Sequence, residues 1–360
     1  MFAKYQILLL ISIVSTSSSC ILENGLQGDC VNIRKCPYQI GRLRVGAPVT
    51  KCDHPTLNVC CPTQKSIAEQ KCEKWHQMLF APTSFDQSRL NSELCAVDTK
   101  ASLIVGGRDA KPYEYPHAVA LGYGTDPKSL KFACGATLIS EDYLLTAAHC
   151  VTHKRLGKPT YAVIADRILD PAMVNYAPNP YRKVVSIAQH IVHPDYKPPL
   201  IYHDIALIRL SSPLDLDRYV LPACISTPIK APRKNVLLEA SGWGITDVTS
   251  SSTSNILQAV NITSIDDKTC NQIYGNEPDK NYRYPDGLVK SQICATGEDK
   301  DTCRGDSGGG LYTREKLCLF HVVGITSIGS KVCGLGNPAV YTNVASYQDW
   351  IESVVWGGRP

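Results

Sequence analysis

Sixteen cysteines, an even number, run through this chain of 360 residues, and six of them crowd into one short stretch: Cys20, Cys30, Cys36, Cys52, Cys60 and Cys61. So small a segment cannot order itself by burying apolar surface, and it needs covalent cross-links. Six cysteines allow many pairings, and spacing alone does not choose among them. Upstream, Lys4, the apolar run Ile7 to Val14 and the small residues Ser15 to Ser19 read as a secretory signal, with a cut near Ser19 and Cys20. That run is too short to span a bilayer, and no other membrane-spanning stretch is expected. Secretion and paired cysteines together imply an oxidising, extracellular compartment. The net charge of +4 is mild and no basic cluster accompanies it, which argues against a nucleic-acid partner.

Three short blocks carry chemistry. They are Thr146-Ala147-Ala148-His149-Cys150, His203-Asp204-Ile205-Ala206-Leu207 and Asp301-Thr302-Cys303-Arg304-Gly305-Asp306-Ser307-Gly308-Gly309. A serine hydroxyl is a weak nucleophile until a base takes its proton and an anion orients that base. His149, Asp204 and Ser307 supply those three groups in the chain order His, Asp, Ser. Any one block alone is uninformative, because a Gly-Asp-Ser-Gly can be a turn and a single histidine a packing residue. Three blocks in one order point to acyl transfer.

From Ile104 onward the chain resembles the trypsin-like serine proteases of chymotrypsin fold, and Cys20 to Cys61, closed by the adjacent Cys60 and Cys61, resembles an arthropod clip domain. Val31 to Tyr38 strengthens the second match. The implied architecture is all-β: a double β-barrel with a C-terminal helix over Tyr347 to Trp356, preceded by the small disulfide-rich module. Runs such as Ala118 to Gly122, Ala136 to Ile139, Tyr161 to Ala165, Ala206 to Leu210, Val322 to Ile328 and Ala339 to Val344 read as its strands. The expected divisions are a signal over 1–19, a clip domain over 20–61, a polar linker over 62–103 with at most a short helix from Trp75 to Phe80, and the protease domain over 104–360.

The resemblance also implies roles. Ser307 attacks the scissile carbonyl, His149 shuttles the proton, and Asp204 orients His149. The Gly305 and Ser307 N–H groups form the oxyanion hole. Asp301 lies at the floor of a pocket for Arg or Lys, with Ser327, Gly329 and Ala339 on the substrate-binding wall and Ser327 also supporting Asp204. Ile328 stands where the family has Trp, Ala339 where trypsins have Gly, and Gly310 where Pro is usual; these leave the fine specificity open. Activation in this family frees an Ile amine that pairs with the aspartate before the nucleophile. Here that means a cut between Leu103 and Ile104 and a pairing with Asp306. Leu103 is not a trypsin-type site, so the activator needs an apolar pocket and the enzyme should not activate itself. Leu at this position is similar to the snake-like, or group C, branch.

For the cysteines, the resemblance implies Cys20–Cys60, Cys30–Cys52 and Cys36–Cys61 in the clip, and Cys134–Cys150, Cys270–Cys294 and Cys303–Cys333 in the protease. It assigns Cys224 to a tether with Cys95, which leaves Cys72 for Cys318. Leu238 stands where a further family cysteine is common. Asn261-Ile262-Thr263 is a glycosylation sequon. His117, His190, His193 and His203 read as structural or surface residues. No acidic calcium loop lies between Tyr161 and His193, so no metal and no cofactor are expected. The resulting reading is a secreted serine endopeptidase zymogen of a haemolymph cascade, in innate immunity (Toll signalling or prophenoloxidase activation) or in development. Its expected partners are a downstream clip-protease zymogen as substrate, an upstream activating protease and serpin inhibitors. Two rivals are a venom protease and a non-catalytic clip-domain adaptor; adaptors usually lose the nucleophile that Ser307 supplies here.

Overall fold

Strands β1 (Ser19–Ile21), β2 (Gln27–Asn32) and β3 (Asn58–Pro62) form an antiparallel sheet in that order, and helix α1 (Pro37–Arg44) lies against it. Pro37 opens the helix, where a missing N–H costs nothing. The core is minimal: Leu22, Leu26, Tyr38 and Val59 around Cys36 and Cys60. Disulfides Cys20–Cys60, Cys30–Cys52 and Cys36–Cys61 supply the rest of the order. The computed structural model describes residues 19–52, 57–80, 107–170, 172, 179–246, 252–276, 279–297, 305–315, 319–329 and 338–357.

Helix α2 (Ile67–Phe80) begins well before the short turn expected at Trp75. Ala68 and Trp75 are each 1% exposed, and with Cys72 between them they make one apolar stripe along the helix. Trp75 packs on Leu221, Cys224 and Leu319.

After the two-residue strand β4 (Arg108–Asp109) come β5 (Ala118–Tyr123), β6 (Lys131–Leu138), β7 (Tyr143–Thr146), the short helix α3 (Ala148–Val151), β8 (Tyr161–Ile164), β9 (Lys183–Val192) and β10 (Ala206–Leu210). These strands close into a barrel in the order β10-β7-β6-β5-β8-β9. The second half holds β11 (Cys224–Ile225), β12 (Leu237–Gly242), β13 (Gln258–Ile265), α4 (Asp267–Tyr274), α5 (Lys280–Arg283), β14 (Gln292–Thr296), β15 (Gly310–Glu315), β16 (Leu319–Ile328) and β17 (Ala339–Asn343). Here the order is β16-β15-β12-β13-β14-β17, and β17 pairs back with β16 to close a second ring. A 3-10 turn over Val344–Tyr347 leads into α6 (Gln348–Val355). Leu238, expected to replace a cysteine, is fully buried in the second barrel with Ala240, Ile262, Leu311, Val323, Ala339 and Tyr341.

The stripe on α2 brings a correction. Cys72 pairs with Cys224 on β11, with Cα atoms 5.1 Å apart. The expected Cys95–Cys224 and Cys72–Cys318 bridges are therefore both excluded. Trp75, one turn from Cys72, seats the helix over β11, and this packing selects the partner. Cys95 and Cys318 lie outside the described residues, as do Cys303 and Cys333. Cys134–Cys150 and Cys270–Cys294 are formed.

The clip module and α2 rest on the closing helix. The Arg42 guanidinium, 5% exposed, meets Asp349 at 2.5 Å, and Asn24 donates to the same carboxylate at 3.1 Å. The Ser346 hydroxyl donates to the Val45 carbonyl at 2.7 Å, and Gln348 donates to Ser66 at 2.9 Å. A side chain at Gly41 would stand 2.5 Å from the Pro228 carbonyl oxygen, so only glycine permits this approach. Mass mapping of unreduced, proteolysed protein should recover the peptides of Cys72 and Cys224 joined. Recovery of Cys224 joined to Cys95 would restore the pairing expected from sequence.

Candidate active site

The three sequence blocks meet at the junction of the two barrels. β7 ends at Thr146, and the single turn of α3 that follows carries His149. Asp204 immediately precedes the buried segment that enters β10 and is itself 3% exposed, whereas the His149 side chain is 31% exposed. The Asp204 carboxylate receives three bonds. His149 Nδ1 lies 2.8 Å from Oδ2, the His149 backbone N–H donates to Oδ1 at 2.9 Å, and the Ser327 hydroxyl donates to Oδ2 at 2.6 Å. Ser327 belongs to β16 of the second barrel, so one carboxylate ties both barrels to the imidazole. Thr342 on β17 adds a fourth contact by donating to the Asp204 carbonyl at 2.8 Å. Sequence reasoning missed Thr342, because a threonine in a buried strand carries no motif.

Ser307 sits in the turn that enters β15. Its carbonyl accepts from the Gly135 N–H at 2.8 Å, which binds the turn to β6 of the first barrel. Gly308 has φ +77°, and a Cβ there would fall 2.3 Å from Thr146 Oγ1 and 3.0 Å from Cys150 Sγ. Glycine at this position lets the Ser307 turn press against the segment that carries His149. No hydrogen bond joins Ser307 to His149 in this structure; His149 Nε2 lies 3.7 Å from Cys150 Sγ. Such bonds commonly tighten only when substrate is bound.

Gly305 also adopts a left-handed backbone, φ +101°, and a side chain there would meet Gly244 Cα and Thr253 Cγ2 at 3.0 Å. Among the described residues, no atom accepts from the Gly305 or Ser307 N–H. The Asp306 side chain packs against Gly242 and Gly244. Its Oδ1 accepts from the Gly244 N–H at 2.7 Å, and a Cβ on Gly242 or Gly244 would overlap the carboxylate.

The remaining expected positions divide. Ala339 opens β17, fully buried, with its methyl in the second barrel's core. Gly329 lies just past β16. Gly310 is explained by its neighbour: a Cβ would strike the Tyr312 ring at 2.3 Å, and that ring reaches Thr137 through a 2.9 Å hydroxyl contact between the barrels. Asn261 is exposed on β13. Asp301, Leu103 and Ile104 lie outside the described residues.

The Trypsin family model matches residues 104–351. The chain belongs to the trypsin family of serine proteases. It is 34% identical over 352 residues to the Drosophila melanogaster protein "Serine protease snk", covering 92% of this chain and 77% of that one. It is 30% identical to "Phenoloxidase-activating factor 1" of Holotrichia diomphalia, covering 94% of each chain, and 30% identical to "CLIP domain-containing serine protease B4" of Anopheles gambiae, covering 94% and 92%. Among solved structures, mouse neuropsin, described as a serine protease expressed in the limbic system of mouse brain, superposes with a TM-score of 0.56 at 29% identity over 70% of this chain and 100% of that one. With its N-terminal three-disulfide sheet, this is a clip-domain serine protease of the arthropod type.

The electrostatics of the clip-domain protease follow from burial and one pairing. Burial disfavours the charged imidazole of His149, but the Asp204 charge and its hydrogen bond outweigh this and raise His149 above its ordinary 6.5. Burial would raise Asp204, yet the His149 charge and the His149 and Ser327 hydrogen bonds hold it below 3.8. The paired charges stabilise the fold in the window between these two. The His149 contribution is present below 6.5 and fades as pH rises through its raised value; the Asp204 contribution is present above 3.8 and fades as pH falls through its lowered value. With His149 as the base, kcat/KM of the activated enzyme should climb with pH through a midpoint above 6.5 as the imidazole loses its proton. Asp204→Asn should move that midpoint down and reduce kcat by about 10,000-fold. A pH–rate profile checks both; an unmoved midpoint would remove Asp204 from this role.

Proposed function

We propose that the protein is a secreted zymogen whose activated form cleaves proteins after Arg or Lys within an extracellular proteolytic cascade. The observation that carries this reading is the Asp204 carboxylate, which holds the His149 ring at 2.8 Å on the segment against which the Ser307 turn packs. In this mechanism His149 takes the Ser307 proton as Oγ attacks the scissile carbonyl, then returns it to the departing amine. The developing oxyanion sits on the Gly305 and Ser307 N–H groups; each such donor is typically worth about 100- to 1,000-fold in rate. Asp204 keeps His149 in the tautomer that can accept. Asp301 selects a basic side chain, with Ser327, Gly329 and Ala339 along the substrate.

Activation is cleavage between Leu103 and Ile104, after which the Ile104 amine pairs with Asp306. The Gly242 and Gly244 backbone already shapes a carboxylate seat there. Leu103 calls for an activator with an apolar pocket, which separates this enzyme's own specificity from that of its activator. The relatives named Serine protease snk and Phenoloxidase-activating factor 1 support a place in an immune or developmental cascade, with a clip-protease zymogen downstream and serpins as inhibitors. Among the described residues no helix is long and apolar enough to cross a membrane.

Purified zymogen incubated alone should produce no new N-terminus at Ile104, whereas a leucine-cleaving protease should. The product should hydrolyse peptides ending in Arg or Lys, label at Ser307 with a serine-directed reagent, and ignore peptides ending in Phe or Leu. An inert, unlabelled product would favour the adaptor reading. Asp301→Ser should lower kcat/KM on Arg substrates by at least about 1,000-fold, about 4 kcal/mol of lost transition-state binding. An unchanged preference would displace Asp301 from the pocket floor.

A further inference from the structure

The closing segment of the chain, the 3-10 turn Val344–Tyr347 followed by α6, is held from two sides. One side meets the clip module and α2. Ala345 packs with Val45, and the Ser346 hydroxyl donates to the Val45 carbonyl at 2.7 Å. Gln348 donates to Ser66 at 2.9 Å, and the Ala68 N–H donates to Glu352 at 3.3 Å. Asp349 takes the Arg42 guanidinium. The other side, formed by Tyr347 and Trp350, meets His193 and His203 beside Asp204. The sequence reading gave those histidines only structural or surface roles, and it gave Tyr347 no role beyond opening a helix.

His203 immediately precedes Asp204 and is held at φ +55°, a conformation that non-glycine residues seldom adopt and that the surrounding structure must enforce. Its ring stacks on His193, with centroids 5.3 Å apart and planes 9° apart. Tyr347 packs edge-on with both rings, at 5.1 Å from His193 and 5.9 Å from His203, and its hydroxyl lies 3.1 Å from His203 Nδ1. Burial, with Asp204 and Asp195 as the facing charges, pushes the Tyr347 hydroxyl up to about 12, so it stays a neutral donor. Trp350 meets the His193 ring at 4.9 Å. His193 is itself fixed, since its Nδ1 accepts from the Asp195 N–H at 3.2 Å. The His193 N–H donates to the Ile205 carbonyl at 3.1 Å, and the Ile205 N–H donates to the His203 carbonyl at 2.8 Å. The residues on either side of Asp204 are thereby fastened to His193 and, through the rings, to Tyr347.

We propose that Tyr347 is a positioning residue for Asp204, and that the clip module, by gripping the closing segment, holds Tyr347 in place. The inference rests on the roles proposed above for His149, Asp204 and Ser307. Ser327 and Thr342 fix the carboxylate and the carbonyl of Asp204 from the second barrel. Neither touches the left-handed residue that leads into it; Tyr347 does. The chain neighbours of Tyr347, Ser346 and Gln348, are bonded to Val45 and Ser66, so a displaced module carries Tyr347 with it. The Cys72–Cys224 bridge keeps α2 on the protease after a cut at Leu103, so the grip outlasts that cut. The module then serves catalysis directly, apart from any docking of other proteins.

The test uses the full-length protein cut after Leu103, a small chromogenic arginyl peptide, and kcat per active site titrated with a serine-directed reagent. Misfolded molecules are then not counted. Tyr347→Phe keeps the ring and removes the hydroxyl. Gly41→Ala favours helix α1 itself but puts a Cβ 2.5 Å from the Pro228 carbonyl oxygen, which unseats the module. Asp349→Asn breaks the Arg42 pair at a partly exposed position and reaches the same contact by a second route. Each should lower kcat about 10- to 100-fold with KM unchanged, the scale of an ångström-sized misplacement. Tyr347→Phe should also lower the pH midpoint of kcat/KM, because a loosened Asp204 stabilises the His149 imidazolium less. In the Tyr347→Phe background, Gly41→Ala should cost less than about 3-fold more, since both act through one contact. With an active parent, the inference is overturned if Tyr347→Phe or both module variants match the parent, or if the Gly41 and Tyr347 effects multiply; the proposed function then still stands. An inert parent overturns both.

Discussion

The carboxylate of Asp204 is the point on which the two halves of this protease converge. It is buried, ionised, and satisfied by groups from both barrels: His149 on the turn after β7, and Ser327 on β16. A buried anion with fewer partners would be neutralised or expelled. The same bonds that meet its desolvation cost also aim the imidazole. Structural need and chemical need are thus met by one set of contacts, and neither barrel alone supplies them.

Steric constraint does comparable work around Ser307. Gly308 admits the turn against Thr146 and Cys150 only because it has no Cβ, and Gly305 turns its backbone into a conformation that a side chain would hinder. Gly310 makes room for the Tyr312 ring, whose hydroxyl bonds Thr137 across the barrel junction. These glycines lie within six residues of one another and serve three separate close approaches. The clip module is joined to this machinery by different means: the Arg42–Asp349 pair on the closing helix, and the Cys72–Cys224 bridge beneath Trp75. A covalent bridge between α2 and β11 persists whatever happens to the chain between residues 81 and 106.

Much of this was legible residue by residue. Short apolar runs such as Ala206 to Leu210 are buried strands whose pattern needs no context. β9 escaped notice because Lys183, Ser186, Gln189 and His190 interrupt its apolar residues and most of the strand is only partly covered. Helix α2 was expected only over its last turns, Trp75 to Phe80, for a related reason. Its buried stripe is only Ala68, Cys72 and Trp75 in a polar segment, a spacing of four and three that reads as a helix once noticed. The pairing of Cys72 followed from that helix, and without it the bridge was assigned to the wrong partners. Thr342 and Gly135 carry no local signature, because their contacts to Asp204 and Ser307 exist only after strands far apart in sequence have closed into barrels.

By itself the sequence determined the chemical vocabulary: a histidine, an aspartate and a serine in order, glycines where the chain must turn sharply, and enough cysteines to staple a module too small to hold itself. Those are properties of residue type and local spacing. Tertiary structure alone decided which cysteine meets Cys224, which hydroxyls satisfy Asp204, and that His193 and His203 stack beside it. Each of these depends on separations of a few ångströms between segments distant along the chain, and such distances arise only from how whole faces of the barrels and helices pack.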